Sequence, residues 1–167
     1  MTRSPKPGEW LLLSYRMPRE PSTPRIAVWR RLKSLGVGQL GDGLVALPAD
    51  ARTREQLEWV ADQVIEGGGQ AMLWVARPAT ARQEQQVAAE MAAARAAEYA
   101  KVAAEAQAAL TADAGVRAST LRRLRNEFRR IARRDFFPPT DRDAAQAAMR
   151  ALQQVTGSAQ TQQEARS

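Results

Sequence analysis

Seven arginines crowd the segment Leu121–Arg134, LRRLRNEFRRIARR. Guanidinium groups form bidentate hydrogen bonds to phosphate oxygens, and each phosphate they neutralise releases counterions. At helical spacing Leu121, Leu124, Phe128 and Ile131 share a narrow arc, while Arg122, Arg123, Arg125, Arg129, Arg130, Arg133 and Arg134 fan over the opposite half. Such a helix buries its apolar side and offers a dense cationic face to nucleic acid. The competing reading is a solvated face paired with Glu84, Glu90, Glu98 and Glu105 of the preceding segment, and an anionic protein or oxyanion is a third target. The sequence leaves these alternatives open.

A second basic patch, Arg25, Arg30, Arg31 and Lys33, lies on an earlier amphipathic segment and reads first as an outward-turned helix face. Trp10, Trp29, Trp59 and Trp74 could stack on unpaired bases, but their placement in or beside predicted strands and covering helices favours core or dimer packing. Catalytic groups are scarce. The chain has no Cys and no His, which excludes disulfides, thiolate nucleophiles, Cys/His zinc sites and a Ser-His-Asp triad within it. Ser14-Tyr15-Arg16 closes the first apolar run without a carboxylate for a divalent metal, and Asp42 reads as turn chemistry between glycines. Gly67-Gly68-Gly69 follows a helix and precedes a strand, the reverse of a phosphate loop. The expectation is a binding protein, not an enzyme, with no cofactor and no metal.

The elements that must carry these groups follow from local patterns. Trp10–Leu13, extending toward Arg16, is an apolar strand bounded by Pro18 and Pro21. Thr23 and Pro24 offer a helix start, Val28, Leu32 and Leu35 its inner stripe, and Gly36 its stop. Val37–Leu40 and Leu44–Leu47 flank a glycine turn, Thr53-x-x-Gln56 opens a second helix, and Ala71–Ala76 is a fourth strand. The order strand, helix, strand, strand, helix, strand predicts an α+β chain with a ferredoxin-like domain over residues 10–78. A helical region over 79–156 follows: a long Ala-rich helix, the arginine helix opened by Ser119 or Thr120, and a short helix capped by Thr140. Residues 1–9 and 157–167 read as disordered tails. With 25 Lys+Arg against 18 Asp+Glu, the net charge is +7 and favours anionic partners. No leader and no membrane span is apparent, so a cytoplasmic protein is expected.

Two sets of motifs together resemble the N-terminal region of the chromate-resistance protein ChrB, a bacterial regulator of chromate-efflux operons. The first is WLLLSYRMP, the helix with Arg25, Trp29 and Leu32, and GLVALP; the second is Glu98-Tyr99, then LRRLRNEFRRIARRDFFPP with Arg134-Asp135-Phe136-Phe137 before the break. The resemblance spans about Trp10–Val155, and the early half is similar, more loosely, to the central domain of PaaX-like repressors and to the small ferredoxin-like nuclease subunit of CRISPR spacer acquisition. It implies a DNA-binding transcriptional regulator, with DNA as partner and a homodimer paired through the sheet domain. ChrB proteins commonly continue into a C-terminal domain. This chain stops before one, so inducer sensing that needs it is expected from a partner or a separately encoded domain.

Overall fold

The computed structural model describes residues 8–164, with side chains as far as Ser158. In chain order the elements are β1 (Trp10–Arg16), α1 (Ser22–Leu35), β2 (Gly38–Gly41), β3 (Leu44–Pro48), α2 (Ala51–Glu66) and β4 (Gln70–Ala76). α3 (Ala81–Ala108), a 3-10 turn (Ala109–Thr111), α4 (Ala114–Arg133) and α5 (Asp141–Glu164) follow. The chain forms two compact units, one up to Met91 and one from Ala92, and the division between them falls within α3.

In the first unit the sheet order is β2-β3-β1-β4 with every pairing antiparallel, the ferredoxin-like arrangement. Leu11 and Leu13 of β1 stand opposite Leu47 and Val45 of β3 and are fully buried, as are Val28 of α1 and Leu57, Val60 and Val64 of α2. Both helices therefore cover one face, as the period-2 and period-3.6 patterns require. The other face carries Trp10, Leu12, Ala46 and Trp74. The first turns of α3 reach it: Val87 and Met91 lie over Gly38, and Trp10 donates its indole N–H to Glu84 at 3.0 Å.

Several helix starts differ from the expected ones. α1 begins at Ser22 after Pro21 in extended conformation, with no side-chain cap, and Pro24 sits inside the first turn, where its missing N–H has no partner to lose. α2 begins at Ala51 because Asp50 takes the capping position and accepts from the Thr53 N–H at 2.7 Å. The Thr53 hydroxyl closes the reciprocal box by accepting the Asp50 N–H at 3.0 Å, and it donates to the Pro48 carbonyl at 2.6 Å. α4 starts at Ala114, five residues before Ser119, running through Gly115 near its end, where a glycine costs about 1 kcal/mol or less. α5 continues to Glu164, through residues expected to form a tail; residues 1–7 and 165–167 of the expected tails lie outside the described residues. Gly36 does end α1, in the left-handed conformation at φ 72°.

The β2–β3 turn depends on Gly43. Its φ is +70°, a Cβ there would run into the Tyr15 carbonyl oxygen, and its own carbonyl accepts the Tyr15 N–H at 2.8 Å. Gly43→Ala is expected to cost at least about 2 kcal/mol in urea denaturation. Gly41→Ala, with open space around it, is expected to stay within about 0.5 kcal/mol; equal costs would show that the turn geometry is not the cause.

Candidate nucleic-acid interface

The second unit is a helical bundle built on small residues. Ala106, Ala109, Ala145 and Ala148 are buried together with Tyr99, Val102, Leu121, Leu124, Ile131 and Leu152, and Phe128 and Met149 pack against them. Alanine at these positions lets helix backbones approach closely. The apolar arc of α4 is thus inward, and its arginines are distributed over what remains.

They do not form one surface. Arg134, at the end of α4, is only 18% exposed and binds Glu98 Oε1 at 2.7 Å, while Arg95, 11% exposed, approaches Glu98 Oε2 at 2.8 Å from three residues earlier on α3. Beside them Tyr99 donates its hydroxyl to Asp135 at 2.9 Å and tilts against Phe128 with ring centroids 5.2 Å apart. Asp135 thus takes a tyrosine as its hydrogen-bond partner. The motif residues Glu98-Tyr99 and Arg134-Asp135 are therefore two halves of one internal lock, and Arg134 leaves the exposed cationic set.

Arg123 and Arg130 belong to a charge-balanced seam. Arg123 pairs with Glu105 and Arg130 with Glu127 at 3.4 Å, in an open cleft of about 640 Å³ also lined by Glu98 and Lys101. Glu105 and Glu127 offset Arg123 and Arg130 across this seam, which weakens its field for a polyanion. The four remaining arginines differ. Arg122, Arg125, Arg129 and Arg133 are all exposed and recur at i, i+3, i+7 and i+11, a stripe about 16 Å long. Arg129 is steered by Asn126 Oδ1 at 2.6 Å. The single carboxylate of α4, Glu127, sits in the seam with Arg130.

Elsewhere, Glu84 accepts a hydrogen bond from Trp10 and Glu90 one from Gln86. The earlier basic patch divides: Arg25 and Arg30 line an open cleft of about 570 Å³ with Arg16, Tyr15, Trp29 and Asp42. Lys33 caps the Trp29 ring at 4.5 Å, and Arg31 points elsewhere on the exposed helix surface. Core packing holds for Trp10 alone; Trp29, Trp59 and Trp74 are at least half exposed. The physical reason is position: Trp29 and Trp59 fall outside the buried stripes of their helices, and Trp74 faces the side of the sheet that α1 and α2 do not cover. Sequence reasoning missed Arg95, although its i, i+3 spacing from Glu98 is a recognisable ion-pair signal. Among the described residues no cluster of three acidic groups could hold a metal, and no helix is long and apolar enough to cross a membrane.

Burial raises the pKa of both tyrosines, and for Tyr99 the hydrogen bond to Asp135 and its negative charge raise it further, partly opposed by Arg142 and Arg95. A raised folded-state value favours the neutral phenol, so this stabilisation is fully present below the ordinary value of about 10 and is lost as pH climbs above it. Alkaline titration of phenolate absorbance is expected to rise later in the native chain than in the urea-unfolded one, and Tyr99→Phe to remove the latest step. Coincident curves would contradict the lock.

Fold and site define a class: a two-unit α+β protein in which a ferredoxin-like sheet precedes an alanine-packed bundle with one arginine-striped helix. The family model described as "Protein ChrB, N-terminal" matches residues 25–164. The chain belongs to that family and is a ChrB-like protein carrying its chromate-resistance N-terminal domain. Among solved structures, the uncharacterized protein Rv0674 from Mycobacterium tuberculosis shares the fold with a TM-score of 0.57 at 16% identity, over 95% of this chain. This chain spans 66% of that protein's length. No curated protein matches it in sequence.

Proposed function

We propose that this chain is a cytoplasmic, non-enzymatic regulator of chromate resistance that grips duplex DNA through the outer stripe of α4. The observation that carries the reading is the alignment of Arg122, Arg125 and Arg129 on an exposed helix face. Guanidinium groups about one turn apart suit a run of backbone phosphates, and this contact supplies affinity and orientation. Choice of sequence needs base-edge contacts beyond it.

A second reading has its own support. Glu98 and Glu105 engage Arg134 and Arg123, which shows that this helix readily takes carboxylate partners. An acidic protein, including a separately encoded sensor domain, fits the same stripe. Fluorescence anisotropy with the chain's own upstream DNA, a scrambled duplex and a salt series separates the readings. Binding that prefers the upstream duplex and falls steeply between roughly 50 and 200 mM salt supports the regulator. No binding at the lowest salt sinks it in favour of the acidic partner.

A further inference from the structure

We propose that β4 is a dimerisation edge, through which two copies of this chain pair antiparallel and join their sheets. β4 has β1 on one side and no strand on the other, so one row of its backbone N–H and C=O groups is open to pairing. The opposite edge is defended. β2 is four residues long, and its register with β3 shifts between Gln39 and Gly41. β4 has no such device: its register with β1 is unbroken from Gln70 to Ala76.

Composition points the same way. The strand QAMLWVA has no charge and no proline, the residues that usually blunt an edge. Met72 is 56% and Trp74 50% exposed on one face, Val75 is 54% exposed on the other, and Ile65 of α2, the helix packed on β4, is 57% exposed. Charge limits where a second copy can sit. Two copies at +7 repel across most of their surfaces, and this uncharged strip is where they meet at least cost.

The strand is also complementary to itself. With the twofold axis at Leu73, Met72 of one protomer stands opposite Trp74 of its partner, twice, and Ala71 opposite Val75. The first pair brings a thioether to an indole, and the second sets a small side chain against a branched one. In the single chain Trp74 is already tied to β1 by its indole N–H to Ser14 Oγ at 3.1 Å. The dimer does not depend on DNA contact by α4.

Sedimentation equilibrium over a concentration series tests this. The wild-type chain is expected at twice 18.4 kDa. Met72→Lys/Trp74→Lys sets like charges opposite each other at both pairs and is expected to weaken association at least about a hundredfold. Met72→Glu/Trp74→Lys turns the same positions into opposite charges and restores the dimer, which also shows that substitution there is compatible with folding. Leu40→Lys on the β2 edge leaves it unchanged. A monomeric wild type overturns the proposal and leaves the edge to another protein's strand. A lysine pair that stays dimeric, a failed charge rescue, or dissociation by Leu40→Lys overturns it equally.

Discussion

Alanine at Arg122, Arg125 and Arg129 together is expected to lower affinity for duplex DNA by about 10²-fold or more near 0.1 M salt, with the fold intact. Each phosphate contact contributes about 0.9 to the slope of log affinity against log salt, so three lost contacts flatten that slope by about 2.7. The same number sets the affinity loss, because 0.1 M lies one decade below the molar reference. Exposed side chains remote from the core change stability by roughly 0.5 kcal/mol or less each, so thermal unfolding is expected to shift little. The charge-balanced seam supplies the control. Glu105→Ala frees Arg123 from its carboxylate and is expected to raise affinity several-fold if α4 contacts phosphate. A triple variant that binds as tightly as wild type would remove the stripe from the interface and leave the seam or another surface to explain any binding.

The same two helices give a stability contrast of the opposite kind. Glu98→Ala strands Arg95 and Arg134, at 11% and 18% exposure, without their shared counter-charge. Removing one partner of a buried ion pair typically costs 3–5 kcal/mol, and with Glu98 itself 31% exposed a value of about 3 kcal/mol is expected. Glu105→Ala breaks a pair whose side chains are about half exposed, where water already screens the attraction, and is expected to cost less than about 0.5 kcal/mol. Urea denaturation followed by far-UV circular dichroism measures both. Equal losses would mean that burial does not distinguish the two pairs. Arg134→Lys is not a rescue, since an ammonium lacks the planar fork that guanidinium presents to a carboxylate.

Much of the fold could be read along the chain because its causes are local. Glycines 36 and 67 stop helices within one turn, alternation marks β1, and alanine content makes α3 nearly inevitable. Capping was less readable because two acceptors compete across a few residues. Thr53 suits the capping position, yet Asp50 takes it and Thr53 becomes the third helical residue that closes the box. The site was readable only in part: the amphipathic arginine helix is visible in LRRLRNEFRRIARR, but its division into lock, seam and stripe is not.

By itself, then, the sequence determined the order of elements, the ferredoxin-like class, the family and the helix that concentrates positive charge. These rest on periods and turn chemistry that act within a few residues. Only the tertiary structure decided which arginines remain available, since Arg134 meets Glu98 across 36 positions and Arg123 meets Glu105 across 18. It also decided that three tryptophans stand at the surface and that one sheet edge is open while the other is bulged. Ion pairing, exposure and edge protection are set by what folding brings alongside, and no spacing along the chain encodes that directly.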